Sequence, residues 1–157
     1  MTRYLGVDPG TTRIGYGIIE EDRGSFRSLA WGIIDNPGTD SSKDKAATAI
    51  QLKALIDEFH PTSAGVERLF FMNNQRTAMA VAEMRGVIML TLQQSQIPVH
   101  EFTPQQVKLT VCGHGQATKR QMQDMIQMLL HIKERVSPDD AADGLALALC
   151  CATAKSY

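Results

Sequence analysis

A helix that is apolar on every side, led by two aspartates three positions apart, constrains this chain more than any other stretch. The run Leu145-Ala146-Leu147-Ala148-Leu149 belongs in a core, because a helix without a polar face has no side to give to water. The spacing of Asp140 and Asp143 places both carboxylates on one helical face. Asp140 has an ordinary local explanation. With Ser137 as N-cap and Pro138 as the first helical residue, an acid at the third position closes a capping box and meets the positive end of the helix dipole. Asp143 has none. It lies one turn further in, between Ala142 and Gly144, where burial without a partner costs a carboxylate roughly several kcal/mol. A cation or hydrogen-bond donors must meet it, so the helix start reads as half of a metal site.

Two other stretches offer the second half. Arg3-Tyr4-Leu5-Gly6-Val7-Asp8-Pro9-Gly10 ends a short apolar strand with an aspartate and a turn, and Ser63-Ala64-Gly65-Val66-Glu67 ends another with a glutamate. Taken singly, Asp8 is a turn residue and Glu67 a solvated strand end. Taken together they are two acids at the carboxyl ends of two strands, where open α/β sheets place their ligands.

The order of elements makes that meeting plausible in topology. Strands are expected at Tyr4–Asp8, Ile14–Glu20 and Phe26–Ile34, with a turn at Asp22-Arg23-Gly24, so the chain opens as an antiparallel meander. After the break at Asn36-Pro37-Gly38, helical spacing of Ala49, Leu52, Leu55, Ile56 and Phe59 predicts a helix from about Ser42 to His60. That crossover lets the strand ending at Glu67 run parallel to the first. A helix from Gln75 to Gln94 carries apolar residues nearly all round, Met79, Met84, Ile88 and Leu90 among them, and is expected to be buried on most sides by its own domain or by a partner. A fifth strand spans Ile97–Phe102, a short helix runs from Pro104 through Val107, Thr118 caps another, and the last starts at Pro138. The result is an α/β fold with a mixed five-stranded sheet flanked by helices. Four carboxylates gathered at its edge would repel one another, and hard divalent cations, Mg²⁺ or Mn²⁺, resolve that repulsion. Two such ions serve an in-line phosphoryl displacement.

Composition narrows the partners. At 157 residues and 17.3 kDa a single domain is expected, and no apolar run reaches the ~20 residues of a membrane helix. With no signal-peptide layout and three cysteines, Cys112, Cys150 and Cys151, outside any metal-type spacing, the expectation is a soluble cytoplasmic protein. Four scattered histidines suggest no zinc site. The net charge of −1 hides an asymmetry: residues 68–120 carry six basic side chains (Arg68, Arg76, Arg85, Lys108, Lys119, Arg120) against two acidic ones. An acidic pocket beside a basic surface suits a metal-dependent enzyme acting on a polyanion.

These residues together resemble a known family. Gly6-Val7-Asp8-Pro9-Gly10 with Gly15-Tyr16-Gly17, Val66-Glu67 with Phe70, Gln106-Val107-Lys108, Gly113-His114-Gly115 with Lys119, and Asp140-Ala141-Ala142-Asp143 are similar, in order and over nearly the whole chain, to the bacterial Holliday junction resolvases of the RuvC family. The resemblance implies a ribonuclease-H-like fold, a homodimer, and Mg²⁺-dependent symmetric nicking of four-way junction DNA, with RuvA and RuvB as branch-migration partners. Asp8, Glu67, Asp140 and Asp143 fall on the family's acidic catalytic and metal-binding positions, two Mg²⁺ per site, with Mn²⁺ as a substitute. Lys108 and Lys119 match basic residues near the scissile phosphate, Lys119 with a catalytic part. Phe70 is implied as a stacking platform for an unpaired base, and Arg76 joins the expected DNA contacts.

Three other readings compete. Asp8-Pro9-Gly10-Thr11-Thr12 resembles the phosphate loop of actin-like ATPases, but those need two such domains, and the Asp140/Asp143 pair goes unexplained. A related ribonuclease-H-like nuclease acting on RNA would use the same acids with a different partner surface. A catalytically silent junction-binding module has no use for the complete acid set.

Overall fold

The computed structural model describes residues 1–36, 41–69 and 73–154. Ten elements follow in order: β1 (Thr2–Asp8), β2 (Arg13–Asp22), β3 (Ser25–Asp35), α1 (Ser41–Phe59), β4 (Ser63–Glu67), α2 (Gln75–Gln94), β5 (Val99–Phe102), α3 (Pro104–Cys112), α4 (Lys119–Leu129) and α5 (Asp139–Ala154). The five strands form one sheet in the order β3-β2-β1-β4-β5. β1, β2 and β3 are the expected antiparallel meander, and the α1 and α2 crossovers return β4 and β5 parallel to β1.

Each face of the sheet has its own core. Leu5, Val7, Ile14, Ile18, Ala64 and Val66 point to the side covered by Leu52 and Ile56 of α1 and Met84, Ile88 and Leu92 of α2. Tyr4 and Ile19 point to the other, where they meet α5 together with α3 and α4. α5 is the centre of that second core, buried without interruption from Gly144 to Ala152. Its approach to the sheet is unusually close. A Cβ on Gly15 would stand 1.8 Å from the carbonyl oxygen of Asp140, and one on Gly144 would stand 2.5 Å from the carbonyl carbon of Tyr16. Only glycine permits backbone to meet backbone this way, and the contact lays the first turns of α5 across the end of β1 and β2.

Two local expectations change, and a third is left with one of its two alternatives, a partner. α3 continues to Cys112, well past Val107, because a Thr103–Gln106 capping box starts it and left-handed Gly113 ends it. α5 begins at Asp139, one residue later than a helix with Pro138 at its first position. The Pro138 carbonyl accepts from the Ala141 amide at 3.0 Å, so Pro138 takes the flanking position and Asp140 moves off the capping-box site. The side chains of α2 are not buried on most sides by this chain: Met84, Ile88, Thr91 and Leu92 are covered, while Met79 is 66% and Leu90 57% exposed. Among the described residues no helix is long and apolar enough to cross a membrane.

Candidate active site

Strand alternation decides which way the two strand-end acids face. Leu5 and Val7 enter the α1–α2 core, so Asp8 points with Tyr4 and Gly6 toward α5. Ala64 and Val66 likewise enter the α1–α2 core, which turns Glu67 toward α5 with Ser63 and Gly65. The register then sets them side by side. Val7 pairs with Val66 in the parallel ladder, one residue before each acid. Asp8 also pairs with Gly15 on its other flank, the residue on which the Asp140 backbone rests. The glycine contact thereby delivers the first turn of α5 to the strand ends. One carboxylate oxygen each of Asp8, Asp140 and Asp143 lies within 4.8 Å of the others.

Glu67 completes the group. The Glu67 and Asp143 carboxylates both stand within side-chain hydrogen-bond reach of Asp8. Burial, followed by the charges of Glu67 and Asp143, pushes the Asp8 carboxyl up to about 9. Burial also raises Glu67. Asp143 is raised by its low-dielectric surroundings and by the charges of Glu67 and Asp140, while Asp8 and Lys119 pull it back. The expected burial of Asp143 is met only in part: the cleft walls desolvate its carboxylate, yet its surface opens onto that cleft, although Ala142 and Gly144 on either side are buried. The helix is apolar around it because the flanking residues pack on the sheet, while Asp143 projects from the one sector left uncovered.

That cleft, about 420 Å³, is walled by α3, α4 and α5 and lined by Glu67, Asp143, Lys108 and Lys119 together with apolar residues such as Val107 and Ile126. The structure thus brings Lys108 and Lys119 to the acids. Lys119 gets there because the Thr118–Gln121 capping box starts α4 at the cleft rim. Arg76 is not part of this group. It lines a separate cavity of about 330 Å³ with Thr11, Thr12, Lys45 and Glu83. Phe70 lies outside the described residues. The basic surplus of the middle segment is partly spent within the fold, since Arg68 and Arg85 both pair with Glu101.

Sequence reasoning missed Arg13, whose Nε lies 3.7 Å from Asp140 Oδ2. Its signal was present: Arg13 precedes Gly15 and Gly17 by steps of two, so it shares the strand face on which α5 lies.

The donor set is all carboxylate oxygen, convergent and mutually repelling, the kind of set a hard divalent cation neutralises. Its elements are acids at the ends of β1 and β4 and in the first turns of a helix crossing a β3-β2-β1-β4-β5 sheet. These define the ribonuclease-H-like class of nucleases. Residues 4–151 match the family model for crossover junction endodeoxyribonuclease RuvC. The chain is 43% identical over 150 residues to the crossover junction endodeoxyribonuclease RuvC of Roseiflexus sp. (strain RS-1), covering 95% of this chain and 89% of the relative. It is 44% identical over 149 residues to that of Heliobacterium modesticaldum, covering 94% and 92%. Its fold matches T. thermophilus RuvC in complex with Holliday junction substrate at a TM-score of 0.92 and 27% identity, covering 99% of this chain and 95% of the other. The chain belongs to the RuvC family of crossover junction endodeoxyribonucleases.

Proposed function

We propose that this chain is a Holliday junction resolvase, an endodeoxyribonuclease that cuts four-way junction DNA by paired symmetric nicks in recombination and repair, with Asp8, Glu67, Asp140 and Asp143 as its catalytic carboxylates. The observation that carries the reading is the meeting of these acids, from three separate elements, beside a cleft lined by two lysines. The four acids would hold Mg²⁺, or Mn²⁺ in its place, two ions to a site. Bound there, such ions would supply Lewis-acid activation of a water and neutralisation of charge on the phosphodiester oxygens.

The chain's own side chains do the rest. Lys119, on the cleft wall with Asp143, meets the charge that grows on the phosphate in the transition state. Lys108 anchors a phosphate on the same wall and Arg76 binds DNA outside the cleft. Phe70 follows the strand that ends in Glu67, and we assign it the stacking role that its family position implies. Residues 1–157 act as one ribonuclease-H-like unit, paired as a homodimer in the cytoplasm, on junctions moved by RuvA and RuvB.

The test compares a synthetic four-way junction, a linear duplex and an RNA–DNA hybrid, each with Mg²⁺, Mn²⁺ or EDTA. Paired nicks in the junction alone, and only with metal, are expected. Equal cutting of duplex or hybrid overturns the substrate, and cutting in EDTA overturns the metal.

A further inference from the structure

One cation at the acid cluster has no part in that reading. Arg13 opens β2 with its Nε 3.7 Å from Asp140 Oδ2. The fold holds it there from two directions. Strand alternation turns residue 13 toward the same face as Gly15, and the Asp140 backbone rests on Gly15 itself. Across the β2–β3 ladder its register partner is Asp35, an acid that gives it a nearer neighbour in sequence, yet its ion pair is with Asp140. Lys119 stands on the cleft that Glu67 and Asp143 line, whereas Arg13 is absent from that lining, so each cation attends different members of the cluster.

The pair does little for folding. Its distance exceeds a direct hydrogen bond, and the two side chains are 51% and 37% exposed, where an ion pair is heavily screened. A guanidinium beside one ligand oxygen of a divalent-cation site has a different consequence. It satisfies part of the charge that would attract the ion, and it repels the ion at short range.

We propose that Arg13 is a built-in competitor for metal at Asp140: its guanidinium attends Asp140 Oδ2 in the metal-free protein and must yield that oxygen when a divalent cation binds. The cluster is thereby made graded, with the Asp140 side loading at higher metal concentration than the Asp8–Glu67 side. This rests on the reading of the four acids as metal ligands.

The experiment is calorimetric titration of Mn²⁺ into the DNA-free protein as wild type, Arg13→Gln and Arg13→Lys, with melting temperatures in EDTA as the check on folding. Arg13→Gln is expected to tighten the weaker Mn²⁺ step about three- to fivefold, the upper end of one exposed charge interaction. Arg13→Lys, which keeps the charge, stays within about twofold of wild type on the same scale. Superimposable titrations of wild type and Arg13→Gln overturn the proposal while leaving the metal reading intact, as does weaker binding in Arg13→Gln. An Arg13→Lys curve matching that of Arg13→Gln also overturns it, since charge would then not be the cause. Absence of Mn²⁺ binding in all three proteins overturns both the competitor and the metal reading.

Discussion

Asp8 is the carboxylate most crowded by its neighbours, and its environment makes a prediction about stability as well as activity. Its folded carboxyl lies above the ordinary value of 3.8, at about 9, because burial and then Glu67 and Asp143 disfavour its charge. Below the unfolded value the group is protonated in both states and imposes no penalty. As pH rises toward the folded value, the unfolded chain ionises freely while the folded one cannot, so stability is lost across that window. Asp8→Asn removes the loss. In EDTA the variant should melt near the wild-type temperature around pH 4 and several degrees above it at pH 8, a gain of at least ~1 kcal/mol. Nicking should be abolished. Thermal melts across the pH range check the first point, and a difference that shrinks as pH rises would contradict it. Lys119 calls for a kinetic measurement. Lys119→Ala should slow single-turnover cutting by about 10- to 100-fold while junction affinity falls far less, because a charge that grows in the transition state is the one it meets. Equal losses in both would make Lys119 a phosphate anchor only. At this scale much was legible: Asp8 and Glu67 stood at apolar strand ends, and the Asp140–Asp143 spacing gave their shared face. Asp143 was singled out by an expected burial that the cleft makes only partial, and Arg13 went unnoticed because its partner is 127 positions away in sequence.

At the scale of elements, the site depends on how closely α5 lies on the sheet. A methyl group at Gly15 would stand 1.8 Å from the Asp140 carbonyl oxygen, against backbone rather than a flexible side-chain end, so the helix or the strand must shift. Gly15→Ala should therefore cost about 1–3 kcal/mol, as overpacking does, and part Asp140 and Asp143 from Asp8. Its signature is joint: lowered melting temperature together with loss of the second Mn²⁺ step and of nicking. A stable variant with full activity would show that the close contact is not what aligns the acids. The elements themselves were largely readable, since the meander, the crossovers and the Thr118 cap follow from local patterns, while the Gln106 and Gln121 halves of the two capping boxes were not read. Their faces were not. Which side of the sheet each strand residue takes depends on pairing register, and α3 ran past its expected end because Gly113, not Val107, supplies the stop. The start of α5 differed for a similar local reason, the Pro138 carbonyl serving as acceptor to Ala141.

At the scale of the whole molecule, the described residues of one chain supply one acid cluster, while resolving a four-way junction takes two cuts in strands of like polarity. A twofold dimer presents two clusters related as those strands are. α2 has the surface for it. Its covered side, Met84, Ile88 and Leu92, faces the core, while Met79 and Leu90 stand out on the other at 66% and 57% exposure. Ala82 and Gly86, small and exposed, lie between them at helical spacing and allow a partner helix close approach. Leu90→Glu should leave the fold intact, with stability changed by no more than about 0.5 kcal/mol, as is usual for an exposed position. It should convert a wild-type dimer at micromolar concentration into a monomer by sedimentation. On a supercoiled cruciform, the wild type should linearise the plasmid by two cuts within one binding event, and the variant should leave single nicks. A Leu90→Glu dimer would move the contact to another surface. A wild-type protein that stays monomeric in solution and on DNA, yet makes paired cuts, would exclude the dimer altogether, because one cluster would then have to serve both strands in turn without leaving the junction.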